Sequence, residues 1–255
     1  MSESFNFSNM DKLFERITAA VVKGVGPDIR DYLADNPDET HNALKLVRGD
    51  KINTNLRNFV VSDTVELKTF KRYAWEGRIL IDREHKVTIA ICTKQTLDAI
   101  PRKKDRTSPH YQMTIANIEN ADIEPICAQM TLFPGMSQFS NDVYADDFKT
   151  IMGEDVLAGD GYKHLVVVYE TSGSDVTYIA AKLIDRNLAT VKEYSLDRFL
   201  KPDFGDLTAE FNGEETTQND VRSLVTVKTA KQKNEETPRQ DELVTAKGQE
   251  EEKRA

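Results

Sequence analysis

The chain has 255 residues, 39% hydrophobic and 30% charged, and its 34 Lys and Arg against 43 Asp and Glu give a formal charge of -9. These proportions suit a soluble protein with enough apolar residues for a core. The longest apolar run, Leu165 to Tyr169, has five residues, whereas a membrane-spanning helix needs about 20, which excludes a transmembrane segment.

A first helix is predicted from near Asn9, where Leu13, Ile17 and Val21 recur at four-residue spacing, Phe14 and Ala20 widen the stripe, and Gly24-Val25-Gly26 ends it. Pro27 opens a second short helix through Leu33, because its missing N–H falls where a helix start has no partner to offer. Residues 41–48 and 52–60 read as two further helices separated by Gly49-Asp50. From Val65 the period changes to two, as in a strand. Arg78 to Asp82 and Lys86 to Thr93 form β-rich runs joined by Arg83-Glu84-His85, a hairpin length. Helices are predicted over 108–119 and 141–152, the second starting after Ser140. His164 to Glu170 and Asp175 to Ile184 flank Thr171-Ser172-Gly173-Ser174 as a second hairpin. Asp185-Arg186-Asn187 turns the chain into Ala189 to Tyr194, and Ser195 caps a last helical turn through Leu200.

This order predicts an α+β fold: N-terminal short helices, then antiparallel β-hairpins with intervening helices, and a disordered C-terminal tail. Residues 1–204 form one domain, with a helical layer over 9–60 and a sheet-rich part over 65–200. Residues 205–255 are a linker and a mixed-charge tail, because no aromatic residue follows Phe211 in the remaining 44 positions. Within them, Arg222 to Thr229 alternates with period two, a local pattern that would suit strand addition to a partner.

The charge is polarised. Leu44 to His110 holds 15 Lys and Arg against 8 Asp and Glu, a net of +7, and the rest of the chain sums to -16. Its densest piece runs from Pro101 to Tyr111. Arg57, Lys71, Arg78, Arg102, Lys103, Lys104 and Arg106 are the candidate phosphate contacts, with His110 and Tyr111 able to stack on bases. Two helices around Gly49 invite a helix-turn-helix comparison, with Asn53, Asn55, Asn58 and Arg57 as base readers, but a polar outer helix face accounts for those residues as well.

Cleavage of a phosphodiester would need a carboxylate on one strand and Glu-x-Lys on the next. Glu66-Leu67-Lys68, with Asp50 or Asp63 upstream, has that spacing, as does the wet face of any edge strand. Cys92 sits in a β run, and a small buried thiol is the ordinary occupant there. His41, His85, His110 and His164 are scattered, so no metal site and no cofactor are expected. Phosphate-binding glycine loops and the nucleophile elbow are absent. Trp75, between Tyr73 and Gly77, reads as an exposed binding aromatic or a half-buried sheet anchor.

Four stretches carry a resemblance: Gly49 to Arg57; Trp75-x-Gly77-Arg78-Ile79-Leu80-Ile81-Asp82; Ile100 to Lys104 with Ser108-Pro109-His110-Tyr111; and Leu165 to Glu170. They are similar to those of an uncharacterised bacterial family of chromosomes and mobile elements, over about residues 10–204. The resemblance implies a bacterial intracellular protein and assigns no functional residue. The start of the chain, Met1 to Asn6, lacks a secretory leader, so the cytoplasm is the expected compartment. The expectation is a non-enzymatic binding protein whose partner is DNA, RNA or an acidic protein, with no membrane involved. The alternatives are a nuclease using Glu66 and Lys68, or an interaction module using the 164–194 hairpins or the tail.

Overall fold

The structure, a computed structural model, describes residues 5–37, 40, 42–72, 74–103, 105–125 and 139–200. The chain divides into two compact units, Met1–Thr208 and Ala209–Ala255, and every described residue lies in the first. The expected tail, its Arg222 to Thr229 pattern, His41, Tyr73 and Lys104 fall outside the described residues.

Helix α1 (Asp11–Val25) follows a single 3-10 turn at Ser8–Met10 and buries Leu13, Phe14, Ile17, Ala20, Val21 and Val25 along one stripe. Helix α2 (Pro27–Asp35) starts on its proline. The expected break at Gly49 is absent, because helix α3 runs unbroken over Leu44–Phe59. A single helical glycine costs only about 1 kcal/mol, and burial of Ile52, Asn55 and Leu56 outweighs it. The helix-turn-helix comparison therefore fails. Asn55 is a structural residue, its Nδ2 donating to Asp28 Oδ2 at 2.6 Å.

Six strands follow: β1 (Val65–Arg72), β2 (Trp75–Asp82), β3 (Val87–Thr93), β4 (Lys163–Ser172), β5 (Asp175–Ile184) and β6 (Thr190–Ser195). They lie in one sheet in chain order. All neighbours are antiparallel except β3 and β4, which pair in parallel over seven residues. The crossover between them carries α4 (Lys94–Ala99), α5 (Tyr111–Glu119) and α6 (Asn141–Met152). Ser140 caps α6 as its sequence suggests. Helix α4 escapes the sequence because Thr93 both ends β3 and caps the helix, its Oγ1 accepting from Thr96 N at 3.1 Å.

The sheet is buried on both faces. Leu80, Val87, Ile89, Leu165, Val167, Ile179 and Ala181 pack with α1 and α3. On the other face Ile79, Ile81 and Ala90 meet α5 and α6, and Val166, Val168 and Ala180 meet α4 and α5. No described helix is long and apolar enough to cross a membrane.

One irregularity shapes the molecule. β1 and β2 pair along all eight residues, yet β2 and β3 pair only at Leu80–Ile89, Ile81–Thr88 and Asp82–Val87. Buried Asp82 tightens this short ladder at its turn, accepting from Glu84 N at 3.0 Å and meeting His85 Nδ1 at 2.6 Å. Beyond Leu80 the two strands part, and the sheet is split.

Candidate functional site

The split opens into a cleft of about 460 Å³. Ala74 and residues 75–78 of β2 form one wall, Ile91 of β3, Tyr169 of β4 and Tyr111 of α5 line its depth, and Lys45, Leu46, Gly49, Asp50, Ile52 and Asn53 of α3 close it from above. It lies towards the carboxyl ends of the parallel strands β3 and β4, where open sheets with helices on both faces commonly take ligands.

Aromatic packing fixes the wall. Phe70 meets Trp75 edge-on at 5.7 Å between ring centroids, and Tyr111 lies 5.1 Å from Phe70 and 5.6 Å from Trp75. Residue 77 is glycine for a reason of space, since a Cβ there would come within 2.2 Å of Phe70 Cζ and 2.8 Å of Trp75 Cη2. Trp75 is nonetheless 47% exposed, so it anchors the sheet and faces solvent at once.

A second cavity of about 500 Å³ is lined by Gln95, Thr96, Ala99 and Ile100 around α4, by Lys103, Arg106 and His110 of the following loop, and again by Lys45. Lys45 is thus the common wall of the two cavities. It forms no ion pair among the described residues.

Of the residues expected to bind, Arg78 and Tyr111 line the first cavity, and Lys103, Arg106 and His110 the second. Arg57, Lys71 and Arg102 are exposed but line neither. Lys71 and Arg78 share Glu76, at 2.9 and 3.5 Å, and these cations, Lys71 foremost, hold the Glu76 carboxyl below its ordinary range. His110 is no cation. Burial, with Arg106 and Arg72 beside it, depresses it to about 3, and its Nδ1 caps α5 by accepting from Gln112 N at 3.3 Å. Arg72 pins the same helix start, donating to Pro109 O at 2.6 Å and pairing with Asp147. Tyr111 is buried, so it serves as the cleft's floor.

The residues required for a nuclease are engaged elsewhere. Glu66 takes a two-point contact from Arg83, both arms 3.1 Å, and Lys68 pairs with Asp155. Asp50 lines the cleft without Glu66, Asp63 is exposed beyond α3, and no three His, Cys, Asp or Glu among the described residues could hold a metal ion. Cys92 is half-buried, and burial pushes its thiol up to about 11, away from the thiolate form that acts as a nucleophile.

Lys45 and Tyr169 have no motif in the sequence. Lys45 is one of 15 cations, and only an unbroken α3 carries it over the split; Tyr169 is one letter in a strand run. No curated protein and no solved structure matches the chain. A family model described as a family of unknown function matches residues 6–246, reaching well past residue 204. The chain belongs to that family, DUF5986.

Proposed function

We propose that this chain is a non-enzymatic binding protein of the bacterial cytoplasm, carried in chromosomes and mobile elements, whose split-sheet cleft receives nucleic acid. Host and compartment come from the sequence resemblance. The ligand class rests on one observation: Lys45 joins a cavity walled by exposed Trp75 to a cavity walled by Lys103 and Arg106, so aromatic and cationic groups lie side by side. Single strands are held by such combinations of stacking platforms and cations. Cleavage is the weaker reading, because Glu66 and Lys68 are neutralised by Arg83 and Asp155 away from the cleft.

Salt dependence tests it. Each phosphate neutralised releases counterions, so log affinity falls with log salt by about 0.9 per contact on duplex DNA and about 0.7 on single strands. Changing Arg102, Lys103, Lys104 and Arg106 together to Gln should flatten that slope by up to about 3 units while the fold survives. Purified protein that binds neither DNA nor RNA in a salt-sensitive way sinks the reading, and an acidic protein partner then replaces it.

A further inference from the structure

The two cavities differ in charge in a way that matches the two parts of one nucleotide. Around Trp75 the charges balance, with Lys45 and Arg78 against Asp50 and Glu76, and Trp75, Ile91, Tyr111 and Tyr169 supply flat or apolar surface. Lys45, Lys103 and Arg106 line the adjoining cavity, no carboxylate is among its described lining residues, and its His110 is neutral. A neutral planar group fits the first and an anion fits the second. The volume of about 460 Å³ lies in the range of roughly 300–1,000 Å³ usual for small-ligand pockets.

The split adds a means of reading the planar group. Residues 75–79 of β2 and 90–93 of β3 lie outside the β2–β3 ladder, so the two strands do not consume each other's main-chain donors and acceptors there, and of these Gly77 O accepts from Arg78 Nη1 at 3.2 Å. A base in a duplex is stacked and paired and cannot reach between α3 and β2. An unpaired base can.

From this we infer that the Trp75 pocket takes an unpaired nucleobase of a single-stranded nucleic acid, stacked on the Trp75 ring, while Lys45, Lys103 and Arg106 meet the adjacent phosphates. The inference rests on the nucleic-acid reading above and narrows it to single strands.

Trp75 is the chain's only tryptophan, so intrinsic fluorescence of the full-length protein reports on this pocket alone. The probes are 12-nucleotide deoxyribose and ribose homopolymers, a duplex of the same length, an abasic single strand, and a nucleoside monophosphate. Either homopolymer should quench the emission saturably. The abasic strand, followed by anisotropy of an end label, should bind roughly tenfold more weakly and leave the emission unchanged, given the usual worth of one stacked base. Trp75→Leu should cost about the same factor towards the homopolymer, nothing towards the abasic strand, and Trp75→Phe should recover most of it. Both variants should still melt cooperatively, Trp75→Leu a few degrees below the parent because half of the ring packs on Phe70 and Tyr111, and its unchanged affinity for the abasic strand separates lost stacking from a lost fold. Lys45→Gln should reduce the salt slope and leave the quench at saturation intact.

Equal binding of abasic and normal strands without quenching overturns base insertion and leaves nucleic-acid binding standing. Quenching by the duplex as strong as by the single strand, or by the monophosphate as strong as by the homopolymer, overturns the single-strand assignment. No salt-sensitive binding by any strand removes both the inference and the reading beneath it.

Discussion

His164 and Glu119 are buried where neither can be charged cheaply. The Thr88 hydroxyl donates to Glu119 Oε2 at 2.5 Å and meets His164 Nδ1 at 2.8 Å, while Glu119 Oε1 and His164 Nε2 have no hydrogen-bond partner among the described residues. Burial pushes Glu119 up to about 8 and holds His164 down at about 3. Between pH 4.5 and 8 the unfolded chain has released the Glu119 proton that the folded protein keeps, so stability falls as pH rises. His164 acts oppositely from about 3 upwards, where the unfolded chain binds a proton that the folded protein refuses, with half of that proton gone at pH 6.5 and its contribution nearly complete about one pH unit higher. From pH 6.5 to 7.5 the Glu119 effect outweighs the remaining opposite effect of His164. With a Glu119 slope of at most about 1.4 kcal/mol per pH unit partly offset by His164, the melting temperature should drop by roughly 2–4 °C, and Glu119→Gln should remove that drop. Identical melting profiles for parent and variant over this window refute the assignment. None of this was legible in the sequence. Thr88 and His164 stand 76 positions apart and become neighbours only through the β3–β4 register.

At the scale of elements, periodicity carried the reading where one face of an element dominates. The stripe of α1 is the example, whereas β4 and β5 were legible as continuous apolar runs because both of their faces are buried. Periodicity failed at α3, whose Gly49 sits mid-helix, and at α4, whose six residues are too few to show a period. It also started β2 late, because Trp75 and Gly77 look like a turn until Phe70 is seen to need the space between them. Two glycines separate the possibilities. A Cβ on Gly49 meets nothing within 4 Å, so Gly49→Ala should raise stability by about 1 kcal/mol, seen as a melting temperature about 2–4 °C higher. A turn at Gly49 requires the opposite sign. A Cβ on Gly24 would lie 2.7 Å from Ile52 Cγ1 and 2.8 and 2.9 Å from its backbone N and Cα, so α1 and α3 cross almost in backbone contact. Gly24→Ala should cost about 1–3 kcal/mol despite the better helix propensity. Adding Ile52→Ala should not restore it, because the clash with backbone persists. Full rescue in that double variant would place the strain in the side chain alone.

For the whole molecule, the β3–β4 ladder has a consequence in time. β1 to β3 form one meander and β4 to β6 another, each closed by short turns, the β2–β3 turn having only residues 83–86. The parallel ladder instead joins strands 76 positions apart. Loop closure costs about 0.6 kcal/mol per doubling of length, so this ladder faces about 2.5 kcal/mol more of entropy than the four-residue turn. The meanders should therefore form early and the barrier should fall where β3 finds β4. Val167, fully buried on β4, reports on that encounter. Val167→Ala should slow refolding several-fold in stopped-flow experiments, whereas Leu196→Ala, at the far end of the second meander, should act chiefly by hastening unfolding. Refolding of Val167→Ala at the parent rate would mean that the two meanders join only after the barrier is crossed. If the slowing is seen, the half-joined chain, with both meanders formed and the edges of β3 and β4 still bare, is the species most prone to associate with its own copies during synthesis.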